Sequence, residues 1–334
     1  MDEAFVRLAH GNGGRLMREL IETVFAEALG NDFLDLRADA ARLPAVAGEL
    51  FLTTDGFTVE PLEFPGGDIG SLAVHGTVND LAVAGARPLW LSLDVFLEEG
   101  LAREQLVRIV RSLAGAAREA GVAVVAGDTK VVPRGKGGGL YLATTGVGVR
   151  AAAQPLSLAG VRPGDRLLVS GPVGDHGTAV MLARGEFGLR GGVVSDAASV
   201  LPLAEALWSM AGLRFMRDPT RGGLAQVAHE IARGVGATVR LKQAAIPVRP
   251  GVAAVCEMLG YDPLYLACEG RVVAVVDPAL AQTALAAWRA LPQGREAALI
   301  GFVEEGPAWV VVETEFGGER LLEELEDDPL PRIC

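Results

Sequence analysis

The sequence contains little cysteine, which limits its covalent cross-links and its metal chemistry. Only Cys256, Cys268 and Cys334 occur among 334 residues, and none belongs to a CxxC or other metal-binding spacing. The odd number indicates that no disulfide framework is present, and no His/Cys set suggests zinc. Because this pattern is typical of a reducing compartment, we predict a cytoplasmic protein. Cys334 is also the last residue of the sequence.

Basic residues are also scarce. The chain has 30 Lys and Arg against 42 Asp and Glu, which gives a formal net charge of −12. Nucleic-acid binding is driven largely by Lys and Arg releasing counterions from phosphates, so we predict no nucleic-acid partner. Any phosphate-binding site must therefore be built locally.

Long hydrophobic runs are absent, although half of the residues are apolar. No run approaches the roughly 20 apolar residues that a membrane-spanning helix needs. The N-terminal stretch MDEAFVRLAHGNGG also lacks the basic segment and apolar core of a signal peptide. We therefore predict no membrane association, and a chain of this length can bury the cores of two ordinary domains.

Hydrophobic spacing predicts a mixed α/β fold, because helical and strand-like segments are interspersed. The predicted helices cover 16–28, 69–84, 103–120 and 197–211. Another helix is predicted to start near 178, and one more follows the turn at 218–223 and ends near 232. The predicted strands cover 49–54, 89–97, 122–126, 129–132 with a hairpin return at 141–149, 166–170, 264–267 and 272–276.

Turn residues and changes in composition suggest the domain boundaries. The stretch 151–163 has little periodicity, so we predict an N-terminal domain at 1–150 and a C-terminal α/β domain at 155–316. From Glu319 the composition becomes acidic, and two prolines in the ending Pro329-Leu330-Pro331-Arg332-Ile333-Cys334 disfavour a regular element. We therefore predict a flexible tail at 319–334.

Four aspartates, Asp55, Asp80, Asp128 and Asp218, lie beside glycines or next to apolar segments. Asp80 stands out because it lies on a predicted helix that is mostly buried, where an unpaired carboxylate costs several kcal/mol. A magnesium ion would satisfy several acids at once and would also accept phosphate oxygens. The alternative, that the other three are turn or cap residues, is what Asp beside Gly or Pro usually is. Both interpretations stay open at this point.

Two glycine-rich loops could hold phosphates. No GxxxxGKS/T sequence is present, so a P-loop is not expected. The loop His10-Gly11-Asn12-Gly13-Gly14 and the loop Thr220-Arg221-Gly222-Gly223 each precede a predicted helix and offer backbone N–H groups to an anion. The run 134–139 is predicted to be a flexible hairpin loop. A GxGxxA match at 146–151 is rejected as a dinucleotide motif, because Pro155 interrupts the helix that this motif requires.

Two further polar residues are candidates for the chemistry. Lys130 would lie on the same face of an extended segment as Asp128, close to a metal and phosphates, or it is a solvated strand residue. Glu269 ends a predicted apolar strand, where its carboxylate could act as a base or meet water at the rim. Cys256 and Cys268 are flanked by apolar residues, so we expect them to be buried and inert.

Four motifs, in this order, resemble the ATP-binding superfamily of aminoimidazole ribonucleotide synthetase and selenophosphate synthetase. They are Thr-Thr-Asp-Gly, Val-Asn-Asp-Leu-Ala-Val-Ala-Gly-Ala-Arg-Pro, Gly-Asp-Thr-Lys-Val-Val and Arg-Asp-Pro-Thr-Arg-Gly-Gly-Leu. Within that superfamily, the opening His-Gly-Asn-Gly-Gly and the ending Pro-Arg-Ile-Cys resemble the carbamoyl dehydratases of NiFe-hydrogenase maturation, the HypE family. Selenophosphate synthetase is disfavoured, because it would be expected to carry a reactive Cys or selenocysteine near the first loop and no cysteine precedes Cys256.

The resemblance implies a two-domain α/β fold whose N-terminal ferredoxin-like domain pairs with its copy into a dimeric barrel, with ATP in the cleft. It implies ATP-dependent dehydration of an S-carboxamide on Cys334 to a thiocyanate, which supplies the cyanide ligand of the hydrogenase iron. The implied partners are a second copy of the chain, the carbamoyltransferase HypF and the HypC–HypD scaffold complex.

The same resemblance implies roles for the candidate residues. Cys334 would carry the substrate, Glu269 would be the base, and Lys130 would orient it or relay protons. The implied ATP-binding residues are Gly11, Asn12, Gly13, Gly14, Arg221, Gly222 and Gly223. The implied magnesium ligands are Asp55, Asp80, Asp128 and Asp218.

Two other functions remain possible from the sequence. A kinase or synthetase of the same superfamily that acts on a free small molecule predicts ATP turnover that is unaffected by trimming or carbamoylating the tail. A non-catalytic assembly scaffold that binds ATP as a switch predicts no stoichiometric phosphate release, even with a carbamoylated tail.

Overall fold

A computed structural model describes residues 4–185, 187–326, 330 and 332–334. The described residues form two compact units, the first made of 4–81, 86–150 and 332–334 and the second of 82–85 and the described residues between 151 and 330. Each unit combines helices with a sheet, so the predicted two-domain α/β fold class is confirmed. Among these residues, no helix combines the length and the apolar character needed to cross a membrane.

The helices of the first unit follow their hydrophobic patterns closely. The helix predicted at 16–28 consists of α1 (Arg15–Leu20), a π-helical stretch (Ile21–Ala26) and α2 (Glu27–Leu29). It is followed by α3 (Ile69–Val83) and α4 (Arg103–Ala120). The apolar residues of α4 recur at intervals of three and four and are buried, and the helix ends at Gly121, whose φ of 69° suits a left-handed cap.

The first unit contains one four-stranded sheet and a small two-stranded ribbon. The ribbon pairs β2 (Glu63–Phe64) with β3 (Gly67–Asp68). The large sheet contains β1 (Leu50–Phe57), β4 (Ala86–Glu98), β5 (Ala123–Val132) and β6 (Leu140–Arg150). Its strand order is β1-β6-β4-β5, with β4 and β5 parallel and the other pairs antiparallel. Alternating side chains give it one buried face and one open face.

The predicted hairpin between β5 and β6 is wrong. β6 pairs with β1 and β4, whereas β5 lies on the other side of β4. The crossover helix α4 lets β5 lie parallel to β4 at the edge of the sheet, and β6 pairs with the other side of β4. The local sequence pattern does not specify this pairing. The loop 134–139 is also held in place, since the carboxylate of Glu98 accepts hydrogen bonds from Gly135 N–H at 2.5 Å and Gly139 N–H at 2.9 Å.

His75 makes the first unit sensitive to acid. Its ring lies on α3 and is 8% exposed, and burial lowers its pKa from 6.5 to about 4. The unfolded chain therefore binds a proton more readily than the folded chain between these two values. His75 therefore does not reduce the free energy of unfolding above pH 6.5. As the pH falls towards 4, it lowers that free energy by roughly 3 kcal/mol.

We expect His75→Gln to reduce this acid sensitivity, because glutamine does not titrate in this range. Urea unfolding at pH 7.5 and pH 4.5 measures the difference in the free energy of unfolding. His229→Gln, in the second unit, is the matched control and should keep the wild-type difference, because it leaves His75 in place. An unchanged difference in His75→Gln would show that other groups cause the acid sensitivity.

The second unit is built on a seven-stranded sheet with the order β13-β12-β9-β11-β7-β10-β8. Its strands are β7 (Arg166–Val169), β8 (Leu213–Arg217), β9 (Thr238–Lys242), β10 (Val273–Val276), β11 (Ala298–Glu304), β12 (Val310–Glu313) and β13 (Glu319–Leu321). Its helices are α5 (Asp175–Arg184), α6 (Leu201–Glu205), α7 (Gly223–Val235), α8 (Pro250–Leu259) and α9 (Ala281–Arg289).

Central strands of this sheet are buried on both faces. Leu167 and Val169 of β7 join the apolar cluster that contains α7, whereas Leu168 joins the cluster that contains Trp288 of α9. A strand that is covered on both faces needs apolar side chains at successive positions, which explains the all-apolar sequence of β10.

Three sequence predictions in the second unit need correction. The strand predicted at 264–267 is absent, because Asp262 caps a 3-10 turn at Pro263–Tyr265 through Leu264 N–H. The helix predicted at 197–211 is reduced to α6, and the helix predicted from Thr178 begins earlier, at Asp175.

The first residues of the predicted tail belong to the second sheet. Residues 319–321 form the edge strand β13, and Leu322 is buried with the core of the sheet. Pairing with β12 gives these backbone groups hydrogen-bond partners, which the acidic composition of the segment did not reveal. Residues 327–329 and 331 of the predicted tail lie outside the described residues.

Candidate active site

Asp55 and Asp80 lie on the same, buried side of the first sheet. Asp55 belongs to β1, inside the strand and not after it as predicted. Thr53 lies two residues before it on the same face and donates its hydroxyl to Asp80 Oδ2 at 2.7 Å. Asp80, on α3, is only partly buried. Two carboxylates and a hydroxyl are oxygen ligands of the kind that Mg²⁺ prefers together with phosphates and water, so these residue types fit such an ion.

Asp128 and Lys130 lie on the opposite face of the same sheet. Lys130 Nζ is 2.7 Å from Asp128 Oδ2, and about half of each side chain is exposed. This agrees with the alternation expected for an extended segment. The hydrogen bond from the ammonium group lowers the pKa of Asp128. The strand register pairs Asp128 with Asp94, and neither lies on the face of Asp55.

The single chain therefore does not gather the four predicted aspartates into one cluster. Within the described ranges, no group of three or more His, Cys, Asp or Glu side chains is placed to hold a metal ion. Asp55 and Asp80 share the buried side of the first sheet, Asp128 is bound to Lys130, and Asp218 belongs to the second unit. Sequence proximity to glycine could not distinguish the two faces of the sheet.

The first glycine-rich loop packs on the strand that carries Lys130. A side chain at Gly11 would collide with the neighbouring Val131, since its Cβ would lie 2.8 Å from Val131 N. Gly13 has a φ of 77°, and a Cβ on Gly13 or Gly14 would meet no atom within 4 Å. The space beside these glycines is open, as a loop that accepts a phosphate through its N–H groups requires.

The second glycine-rich loop follows β8 and opens α7. Asp218 is 6% exposed, Gly222 has a φ of 74° and Gly223 a φ of 59°. A Cβ on Gly223 would lie 2.6 Å from the carbonyl oxygens of Leu264 and Leu266, so only glycine allows this close approach. Arg221 is exposed beside the start of α7.

Glu269 lies in the turn that packs against this loop. Its side chain is 2% exposed, so it is not a solvated residue at a rim. The preceding residue, Cys268, donates its N–H to the carbonyl oxygen of Pro219 at 2.9 Å. The structure thus joins the segments that carry Asp218 and Glu269, which lie far apart in the sequence.

The C-terminal residues 332–334 belong to the first unit and run antiparallel to residues 58–60. Thr58 N–H donates to Cys334 O at 2.9 Å, and Glu60 N–H donates to Arg332 O at 3.2 Å. The Thr58 hydroxyl also donates to Cys334 O at 3.2 Å. Ile333 is 2% exposed, while Cys334 is partly exposed. Backbone contacts and the buried Ile333 side chain therefore hold residues 332–334, and nothing in the sequence marked Thr58 or Glu60 for this role.

Burial of Ile333 should control whether the tail stays docked. Removing an isoleucine from its buried site costs about 1.5–3 kcal/mol, so Ile333→Ser should increase the undocked fraction about 10-fold or more. Hydrogen exchange of the Thr58 and Glu60 amides measures this, because both donate to the tail. Arg332→Ala is the control with a smaller effect, since its ion pair with Glu60 is exposed. Unchanged exchange in Ile333→Ser would contradict the docked arrangement.

The remaining single histidines and cysteines fit structural roles. His176 Nδ1 pairs with Ser195 Oγ at 2.8 Å inside the second unit. Cys256 and Cys268 are both buried, and burial raises the pKa of each thiol, to about 11 for Cys256. The expectation that these two cysteines are buried is confirmed.

Comparison with known families defines the class of this protein first. Residues 37–150 match the N-terminal domain model of AIR synthase related proteins, and residues 162–312 match the C-terminal domain model. The two matches cover most of the chain and correspond to its two units. The fold is thus that of the AIR synthase related class.

Full-length relatives narrow this class. Carbamoyl dehydratase HypE of Azotobacter vinelandii is 50% identical over 331 residues, which cover 98% of this chain and 97% of that protein. A crystal structure of the hydrogenase maturation protein HypE in complex with ATP is 45% identical, with a TM-score of 0.94 over 98% of this chain and 99% of that chain. HypE in a HypE–HypF complex is 43% identical, with a TM-score of 0.81 over 92% and 99% of the two chains. The chain belongs to the carbamoyl dehydratase HypE family.

Proposed function

We propose that this protein uses ATP to dehydrate a carboxamide on the sulphur of its own Cys334, which yields a thiocyanate that supplies the cyanide ligand of the NiFe-hydrogenase iron. The observation that carries the proposal is the similarity to carbamoyl dehydratase HypE over 98% of the chain. The ending Pro-Arg-Ile-Cys supports Cys334 as the carrier, and the docking of that end on the first unit supports a site there.

The difficulty in this reaction is the leaving group. An amide oxygen departs poorly as hydroxide, whereas a phosphate departs readily. Transfer of the γ-phosphoryl group of ATP to the carboxamide oxygen forms an O–P bond, releases ADP and removes one proton from the nitrogen. Breaking the C–O bond then releases phosphate, and loss of the second proton from the nitrogen completes the C≡N bond. The balance is one carboxamide and one ATP to one thiocyanate, ADP, phosphate and a proton.

The residues of the chain take distinct roles in this scheme. Glu269 accepts a proton from the carboxamide nitrogen. Its buried carboxylate is at the position that matches the base in the family pattern. Lys130 orients the substrate or relays the proton, with Asp128 holding its ammonium group in place. The glycine-rich loops at 11–14 and 222–223, with Arg221, bind the phosphates.

Magnesium is the metal that the family implies. Asp55 and Asp80 would hold it with the Thr53 hydroxyl nearby, since carboxylates on one side of the sheet fit its oxygen preference. A bound Mg²⁺ would neutralise charge on the phosphates. Asp128 and Asp218 remain proposed members of the acidic set, and nothing within the single chain brings Asp128 to the first pair.

We also propose three partners and a cytoplasmic location. HypF, which forms a complex with HypE in a known structure, donates the carbamoyl group, and a HypC–HypD complex receives the cyanide. A second copy of the chain covers the open face of the first sheet, where Leu50, Leu52 and Phe96 are 59%, 73% and 41% exposed. Sedimentation of Leu52→Lys, which places a charge on this face, tests the homodimer.

The mass of the C-terminal peptide tests the reaction itself. The protein is incubated with the carbamoyltransferase and carbamoyl phosphate, and the peptide is weighed before and after Mg-ATP is added. We expect Cys334 to gain a carbamoyl group and then to lose one water when ATP is present. If Cys334 is never modified although the carbamoyltransferase is active, the self-substrate function is wrong and a kinase or synthetase acting on a free small molecule takes its place.

A further inference from the structure

The backbone of Glu269 is bound on both sides by one segment of the second unit. The carboxylate of Asp196 accepts hydrogen bonds from Glu269 N–H at 3.3 Å and from Gly270 N–H at 3.1 Å. Two residues further on, Ala198 N–H donates to the carbonyl oxygen of Glu269 at 3.4 Å. The Asp196 side chain is completely buried. The position of Glu269 therefore depends on a carboxylate more than 70 residues away in the sequence.

A buried arginine offsets the cost of burying the Asp196 charge. Arg271 Nε is 3.4 Å from Asp196 Oδ2, and Arg271 Nη2 is 3.5 Å from Asp175 Oδ2. Arg271 Nε also donates to the carbonyl oxygen of Pro172 at 2.9 Å. An isolated buried carboxylate would be costly, whereas one with a cation and two N–H donors is tolerated. These contacts fix Asp196 as well as the turn that it holds.

The fit between the two segments is close enough to require glycine. A Cβ on Gly270 would lie 1.9 Å from the carbonyl oxygen of Asp196, so no side chain can be placed there without moving one segment. On the other side of Glu269, Cys268 N–H is bound to Pro219 O. The turn is thus held by Asp196 on one side and by the Asp218 loop on the other.

We propose that Asp196 is a positioning residue that aims the Glu269 carboxylate at the carboxamide, an inference that rests on the proposed function of Glu269 as the base. Proton transfer requires hydrogen-bond distance between the base and the proton that it removes. A displacement of about 1 Å at such a site costs on the order of 100-fold in rate. Asp196 touches neither ATP nor the tail in this role, so it acts through Glu269 alone.

Asp196→Asn tests this role, because asparagine keeps the size of the side chain but turns an amide donor towards one of the two N–H groups. We expect single-turnover loss of water from carbamoylated Cys334 to slow by about 10- to 100-fold. ATP affinity should stay within about threefold of wild type, because no phosphate-binding group is altered. Asp165→Asn is the matched control. Asp165 is also buried and accepts an N–H bond, from Arg162 at 2.8 Å, but on another turn. It should keep the wild-type rate.

A double-mutant cycle separates positioning from general loss of structure. If Asp196 acts through Glu269, Asp196→Asn should slow a Glu269→Gln enzyme by no more than about twofold. Losses that multiply in the double variant would overturn the proposal, as would a wild-type rate in Asp196→Asn. Should circular dichroism show that Asp196→Asn does not fold, Asp196→Ser takes its place, because it removes the carboxylate without adding an amide donor.

The same experiment distinguishes this inference from the proposed function. If the wild-type protein carries a carbamoyl group but never loses water with ATP, the proposed function fails and the role of Asp196 fails with it. If the wild type reacts and Glu269→Gln reacts equally fast, Glu269 is not the base. The inference about Asp196 then fails, while the proposed dehydration of Cys334 stands. The inference is supported if both single variants react slowly and the rate loss in the double variant exceeds that of Glu269→Gln alone by no more than about twofold.

Discussion

Replacement of Cys334 by alanine should abolish cyanide supply completely. The thiol is the atom to which the carbamoyl group is attached in the proposed reaction, and alanine offers no nucleophile in its place. The C-terminal peptide should show no carbamoyl group after incubation with the carbamoyltransferase, and cyanide transfer in a reconstituted maturation system should fall to background. ATP binding should persist, because Cys334 is not among the proposed phosphate ligands.

Cys256→Ala provides the matched control for this experiment. Cys256 is buried, and burial raises the pKa of its thiol to about 11, so it is a poor nucleophile at neutral pH. This variant should be carbamoylated on Cys334 and should transfer cyanide like the wild type. Cyanide transfer that survives in Cys334→Ala would show that the carrier is another group, and the free small-molecule alternative would then be favoured.

Replacement of Glu269 by glutamine should slow dehydration by about 10²- to 10⁴-fold, the usual range for loss of a general base. Glutamine keeps the shape of the side chain but cannot take a proton from the carboxamide nitrogen. The rate is measured as single-turnover loss of water from carbamoylated Cys334 after Mg-ATP is added. ATP affinity, measured separately by calorimetry, should change little.

Glu304→Gln is the control for Glu269→Gln. Glu304 lies on β11 of the same unit and pairs with Arg240 at 2.9 Å, without a place in the proposed site. It should dehydrate at the wild-type rate. If Glu269→Gln instead loses ATP affinity in proportion to its rate, Glu269 is a nucleotide ligand or a structural residue, and the base must be sought elsewhere.

The structure places the predicted metal ligands on both faces of the first sheet and in the second unit. Asp55, Asp80 and Asp128 all lie beside glycine or apolar residues in the sequence, so nothing local separates them. In the fold, Asp55 and Asp80 lie on the buried face of the first sheet and Asp128 on the open face, because side chains alternate across a strand. A shift of one residue in register would reverse that assignment, and register depends on distant strands.

The tail illustrates the same limit. Composition predicted a tail at 319–334 that is distinct from the domains, whereas residues 319–321 form an edge strand of the second sheet. Composition could not reveal that Ile333 is buried or that Thr58 and Glu60 bind the backbone of the last residues. These contacts join positions separated by 272 and 276 residues, beyond the reach of any local pattern.

The sequence by itself determined the mixed α/β class, most helix and strand positions and the family, because hydrophobic period and short motifs act over a few residues. It also determined the candidate groups, namely Cys334, Glu269, Lys130 and the glycine-rich loops. Only the tertiary structure decided that β6 lies between β1 and β4, which aspartates share a face, and that Asp196 holds the turn of Glu269. Each of these depends on pairing and packing between distant segments, which local sequence does not specify.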